Sequence, residues 1–77
     1  MKKLTDKQGQ VYDFIVTFIS DKGYSPTYRD ISERFGMLPR AAYDAVRFIE
    51  KKGYIKTTPR VARSIVIIKD AGVGGVA

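Results

Sequence analysis

No cysteine and no histidine occur among the 77 residues. Disulfide frameworks, zinc fingers, thiol nucleophiles and imidazole acid/base chemistry are thereby excluded by inventory. No apolar run approaches the length of a membrane span, so no membrane partner is expected. The opening Met1-Lys2-Lys3-Leu4-Thr5-Asp6 is basic, but it lacks both an uninterrupted apolar stretch and a small-residue cleavage site, so it is not a secretory signal. The missing cysteine is compatible with a reducing cytosol, and a cytoplasmic protein is expected. Length itself is scarce: a single domain near the lower limit for independent folding needs a compact, mostly helical core. So small a domain leaves little room for a pocket, and neither an enzyme, a cofactor nor a metal is expected.

What the chain does have is positive charge, and it is localised. Residues 1–26 carry four Lys and Arg against three Asp and Glu, residues 27–69 carry ten against four, and residues 70–77 carry none against one. A polyanion is the first partner this implies.

Thr5 followed by Gln8 is a capping-box pattern, and Val11, Phe14, Ile15, Phe18 and Ile19 then recur at helical spacing. This predicts a first helix over about Asp6 to Lys22, closed by Gly23. Pro26 biases Ser25 away from helical angles, so Tyr24-Ser25-Pro26 is a connector. Thr27 then caps a second helix that runs to about Phe35, with Asp30 near its positive end, Ile31 and Phe35 inward, and Arg29, Glu33 and Arg34 left for solvent or phosphate. Gly36 ends it with a left-handed turn. Pro39 opens a third helix that continues to about Lys52 before Gly53. At about 100° per residue, Ala42, Ala45, Val46 and Ile49 fall on one side of it and Arg40, Asp44, Arg47 and Lys51 on the other, with Tyr43 at the margin.

Tyr54-Ile55-Lys56-Thr57-Thr58 and Ser64-Ile65-Val66-Ile67-Ile68 are rich in β-branched residues and flank Pro59-Arg60-Val61-Ala62-Arg63. They predict a hairpin whose five-residue loop carries two arginines. Phe48, which falls between the two sides of the third helix, is expected to close the core edge against this hairpin. The expected fold is mainly α with a small β-hairpin, a three-helix winged helix-turn-helix over residues 1–69. Residues 70–77 contain three glycines and no period, and are expected to be a disordered tail or the start of a linker.

In a helix-turn-helix the first helix of the pair braces the second across the major groove, where its N-terminal side chains meet base edges. Here those side chains are Arg40, Ala41, Tyr43, Asp44 and Arg47. Arg bonds guanine in bidentate fashion, Asp accepts from cytosine, and Ala41 suits a thymine methyl. The bland alternative is that Arg40 and Asp44, four apart, form only a surface ion pair. Lys51, Lys56, Arg60 and Arg63 extend the positive surface into the hairpin and suit phosphates, with the minor groove open to the two loop arginines. Lys52 and Lys56 have ordinary solvation as an equal option. Ser25, Thr27, Tyr28 and Arg29 precede or open the brace helix, whose first amides can hold a phosphate. Tyr28 has packing on the first helix as its other option.

At these residues the chain resembles a known family. Leu4-Thr5-Asp6-Lys7-Gln8, Gly23-Tyr24-Ser25-Pro26-Thr27, Asp30-Ile31-Ser32-Glu33-Arg34-Phe35-Gly36, Ala41-Ala42 and Lys52-Gly53-Tyr54-Ile55 resemble, in order and spacing, the DNA-binding domain of the LexA repressor over about residues 4–68. The resemblance implies a winged helix on double-stranded DNA, binding as a dimer to a palindromic operator where a dimerising element is present and as a monomer otherwise. It also implies repression of transcription of the DNA-damage (SOS) kind. The turn between Gly36 and Ala41 is one residue shorter than in the family. Where the family has Asn, two Ala and two Glu, this chain has Arg40, Ala41, Ala42, Tyr43 and Asp44. The family's peptidase domain, with its Ser/Lys pair, has no counterpart here, so no self-cleavage is expected. Two further functions fit the same residues: non-specific DNA binding, and a protein-interaction module with Tyr43, Tyr54 and Phe48 as an aromatic patch.

Overall fold

The computed structural model describes residues 3–68. Helix α1 spans Asp6–Lys22, α2 Tyr28–Phe35 and α3 Pro39–Lys51, and strands β1 (Ile55–Lys56) and β2 (Val66–Ile67) complete the domain. This is the three-helix winged helix-turn-helix expected of the sequence. The tail expected at 70–77 lies outside the described residues.

Local chemistry sets the ends of the first two helices. Thr5 and Gln8 form a reciprocal capping box on α1, and Thr27 and Asp30 form another on α2. Each box satisfies two amide donors that a helix start leaves unpaired. Gly36, at φ 65°, takes the left-handed conformation that lets Met37 N–H return to Ser32 O at 3.0 Å, and this closes α2 and starts the turn. Pro39 stands in the first turn of α3, where its missing N–H leaves no bond unmade. That helix stops at Lys51, one residue earlier than its pattern suggests.

The core is apolar throughout: Val11, Ile15, Ile31, Ala42, Val46, Ile49, Ile55 and Ile65 are buried. Helix α3 is its hub, packing on α1, α2 and β1. Phe14, Phe35, Tyr12 and Tyr54 seal the margin, with Tyr12 against Tyr54 at 5.4 Å and Phe14 against Phe35 at 5.8 Å between ring centres. Phe48 does not join them. It is 52% exposed, because the hairpin meets the core through Ile55 and Ile65 and leaves the Phe48 side of α3 uncovered.

The hairpin is antiparallel, with Ile55 opposite Ile67 and Lys56 opposite Val66. Its strands are shorter than the β-branched runs predict, for a specific reason. In the continued register Thr57 and Ile65 stand opposite each other as a non-hydrogen-bonded pair, with their amides turned away from the partner strand: Thr57 N–H donates to Glu50 Oε2 at 3.0 Å and Ile65 N–H to Ser25 Oγ at 3.2 Å. These outward bonds tie both strands to the body of the domain without competing with the ladder. The ladder stops one step further, at what would be the next hydrogen-bonded pair, because the Ser64 hydroxyl stands in for its backbone, accepting from Thr58 N–H at 3.0 Å and donating to Thr58 O at 3.2 Å.

Candidate nucleic-acid interface

The outward side of α3 is open. Arg40, Ala41, Tyr43, Asp44, Arg47 and Lys51 are all exposed, while Ala42, Val46 and Ile49 on the opposite side are fully buried. One short helix thus serves the core and the surface at once, as its 3.6-residue period allows. The Arg40 and Asp44 side chains approach to 3.6 Å, and both are largely in solvent. An exposed i,i+4 pair of this kind contributes a few tenths of a kcal/mol, about 0.3–0.5, so it opens readily to another partner.

Beside this stripe lies a groove of about 510 Å³ between α3 and the hairpin loop, lined chiefly by Tyr28, Tyr43, Arg47, Thr57, Thr58 and Arg60. Tyr28 and Tyr43 meet edge to face at 5.2 Å and join the start of α2 to the exposed side of α3. The Arg47 guanidinium stands 5.9 Å from the Tyr43 ring. Burial, and after it the neighbouring Tyr43, pushes the Tyr28 phenol above its ordinary pKa, so Tyr28 stays neutral and able to donate a hydrogen bond. Thr57 and Thr58 carry no periodic signal, and the sequence does not single them out; their place directly before Pro59 is the only hint of their role.

Pro59 and Arg60 form the tip of the loop. Val61 N–H returns to Thr58 O at 3.2 Å, with Pro59 second and Arg60, at φ 65°, third in the four-residue turn. A proline before a residue of positive φ is the pattern of a type II turn. Glycine normally takes that third position, and a side chain there costs roughly 1–2 kcal/mol. Strain of this kind concentrates at functional positions, and Arg60 lines the groove.

Three of the residues that the sequence offers for DNA contact are held in the fold by their own side chains. Ser25 is buried; its hydroxyl accepts from Ile65 N–H and donates to Pro26 O at 3.2 Å, so it is not free for a phosphate. The Thr27 hydroxyl accepts from Asp30 N–H at 3.0 Å as the cap of α2. Arg63 does not share the groove with Arg60. Its Nη1 donates to Ser25 O at 3.0 Å and Asp30 Oδ2 at 3.2 Å, and its guanidinium lies 4.8 Å from the Tyr24 ring centre. Arg29 is exposed and paired with Glu33 at 3.2 Å. Lys51 and Lys56 are exposed, whereas Lys52 donates to Lys3 O at 2.9 Å and to Gln8 Oε1 at 2.6 Å and so ties the end of α3 to the start of the chain.

Of the aromatic residues considered for a protein partner, Tyr43 pairs with Tyr28 and Tyr54 with Tyr12, and Phe48 is half exposed on α3. Among the described residues no group of acidic side chains is arranged to hold a metal ion, and no helix is long and apolar enough to cross a membrane.

Comparison with known proteins places the chain in a family. Residues 1–64 match the model of the LexA DNA binding domain. The LexA repressor of Thermosipho melanesiensis is 51% identical over 69 residues, which cover 90% of this chain and 35% of that protein. The LexA repressor of Leptospira interrogans serovar copenhageni is 45% identical over 71 residues, 92% of this chain and 35% of the relative. That of Petrotoga mobilis is 40% identical over 73 residues, 94% and 35% respectively. The chain therefore spans about a third of the length of the curated relatives it matches.

Proposed function

The chain belongs to the LexA DNA binding domain family, and from that premise we propose that it binds double-stranded DNA sequence-specifically as the operator-recognising part of a transcriptional repressor. Arg40, Ala41, Tyr43, Asp44 and Arg47 enter the major groove and meet base edges. The groove between α3 and the wing receives the backbone of one strand, with Tyr28 and Thr58 as uncharged hydrogen-bonding groups and Arg60 as the cation of the wing tip. Lys51, Lys56 and Arg29 flank this path and hold further phosphates. Residues 1–69 form the binding unit. Pairing of two such units on a palindromic operator raises affinity and selectivity, since the second contact becomes intramolecular. Repression of DNA-damage genes in the cytoplasm follows from the family, and the operator differs from that of relatives with Asn and Glu where Arg40 and Asp44 stand.

The observation that carries this proposal is the open stripe of Arg40, Tyr43, Asp44 and Arg47 on a helix whose other side is fully buried. It is tested by selecting bound duplexes from a random library and then titrating the winner against salt. The expected outcome is a recurrent half-site, with log affinity falling by about 0.9 per neutralised phosphate for each unit of log salt. Arg40→Ala is expected to relax selectivity at one base position by about 1–3 kcal/mol. A pool with no sequence preference and a uniform loss on Arg40→Ala would leave only non-specific DNA binding. Weak, salt-insensitive binding would remove DNA as the partner altogether.

A further inference from the structure

The wing's two arginines share one loop and one unusual backbone conformation, φ 65° at Arg60 and φ 54° at Arg63, yet their side chains diverge. Arg60 borders the groove beside α3. Arg63 turns the opposite way, toward the first turn of α2.

We infer that Arg63 is a positioning residue: it clasps the root of the wing to the start of α2 and thereby fixes where Arg60 stands relative to α3. The inference deepens the DNA-binding proposal above and rests on it for the role of Arg60.

Three contacts support it. The Arg63 guanidinium reaches Ser25 O, Asp30 Oδ2 and the face of Tyr24, so it grips the connector before α2 and the helix itself. A planar fork suits two oxygen acceptors together with a ring face, which an ammonium cannot match in one pose. Both anchors are themselves fixed. Asp30 is locked into the capping box by Thr27 N–H at 2.9 Å, and Ser25 is buried and takes the Ile65 N–H two residues beyond Arg63. Close by, a slot of only about 70 Å³ separates the loop from the start of α2, so the wing root rests almost directly on the body. The backbone supplies an independent argument. Glycine would hold the left-handed position of Arg63 without steric cost, and the arginine there compensates for its conformation through the contacts of its side chain.

The clasp sits at the last residue of the loop, away from the tip and outside the groove beside α3, so it sets the angle of the tip without touching what the groove holds. Removing it frees the wing to swing, and Arg60 then spends only part of its time where a phosphate would be.

A double-mutant cycle separates positioning from contact. Wild type, Arg60→Gln, Arg63→Gln and the double variant are titrated with the duplex selected from the random pool, at one salt concentration and well below every melting temperature. Arg60→Gln is expected to weaken wild-type binding by about tenfold but the Arg63→Gln background by less than about twofold, the signature of coupled residues. In DNA-free protein, residual dipolar couplings of the Lys56, Thr58 and Val61 amides are expected to change in Arg63→Gln while those of α3 persist. Arg63→Lys, which retains a single charged donor, should fall between wild type and Arg63→Gln in both measurements, and it serves as the test if Arg63→Gln does not fold. Losses that multiply, with unchanged couplings in the free protein, would overturn the inference in favour of a direct Arg63 contact with DNA. A lowered melting temperature with the Arg60→Gln effect and the couplings intact would overturn it in favour of a merely stabilising contact. If wild type shows no duplex preference, the DNA-binding proposal fails, and the couplings alone still decide whether Arg63 sets the wing.

Discussion

In the helical half of the molecule α3 meets its neighbours through Val11, Ile15, Ile31, Ala42, Val46 and Ile49, all fully buried and all apolar, whereas the wing adds Ile55 and Ile65 and is then held by directed polar contacts. Glu50 grips Thr57, Ser25 accepts from Ile65, and Arg63 reaches Ser25 O and Asp30. Apolar burial is non-directional: it decides that surfaces meet and strongly favours compactness, but it specifies angles only through shape. Hydrogen bonds weaken steeply away from good geometry, so they specify orientation more than they add stability. The helical body therefore carries most of the stability of the fold, and the wing takes its direction from a few named groups. An interface that needs a reading helix and an arginine at a fixed offset from it uses both kinds of contact.

The contrast breaks most readily in the core. Ile49→Ala removes a fully buried side chain at the hub of the three helices and is expected to cost about 2–5 kcal/mol, a large part of a stability of roughly 5–15 kcal/mol. Urea denaturation monitored by helical circular dichroism measures it. A loss well under about 1 kcal/mol would mean that the helices are not held by this cluster.

Ser25→Ala probes the wing side. It leaves the Ile65 amide buried without its acceptor and is expected to cost about 1–3 kcal/mol, with the helical signal intact and the amide of Ile65 exchanging faster than those of α3. Equal exchange at both places would show that the wing and the body unfold as one unit and that Ser25 does not hold them together.

Acid sharpens the same distinction. The Asp30 carboxyl is held below its ordinary pKa, first by the Thr27 N–H, against some desolvation, and further by Arg63 beside it. Because the folded value is the lower one, the unfolded chain binds more protons in this window, and the stabilisation from Asp30 is full above the ordinary carboxylate value of about 3.9 and fades as pH falls through the folded value. Thermal melts between neutral and strongly acidic pH should show this loss in wild type and a smaller one in Asp30→Asn. Parallel curves for the two proteins would remove Asp30 from the explanation.

The smallest effect belongs to the exposed pair on α3. Asp44→Asn is expected to change stability by less than about 0.5 kcal/mol while altering the base preference of the selected duplex, because the pair is solvated and its members face outward. A stability loss above about 1 kcal/mol would reveal a structural pair rather than a reading surface.

Much of the helical body is legible in the order of residues. The bounds of α1 and α2 follow from Thr5, Gln8, Gly23, Thr27 and Gly36, and the division of α3 into a buried and an open side follows from its period. The departures lie in the wing and at its edges. The β-branched runs predict strands through Thr58 and from Ser64, but the Ser64 hydroxyl takes both the Thr58 amide and its carbonyl, and the ladder ends before that pair. The place of Ser25 just before the brace helix and that of Arg63 in the basic hairpin loop point both toward phosphates. Each instead meets a partner distant in sequence, Ile65 at a separation of 40 residues and Asp30 at 33. Phe48 is expected inside because a large aromatic ring at a marginal helical position usually finds cover, and the hairpin passes on the other side.

Helix periods, caps and the concentration of positive charge are set by residues within a turn or two of one another, and the linear order of amino acids is enough to fix them. The separate destinations of Arg60 and Arg63 and the groove between α3 and the wing depend on which distant polar groups come within hydrogen-bond reach once the core has closed. A loop without a period has no local rule to obey, so its orientation was decided only when α2, α3 and β2 came together in space.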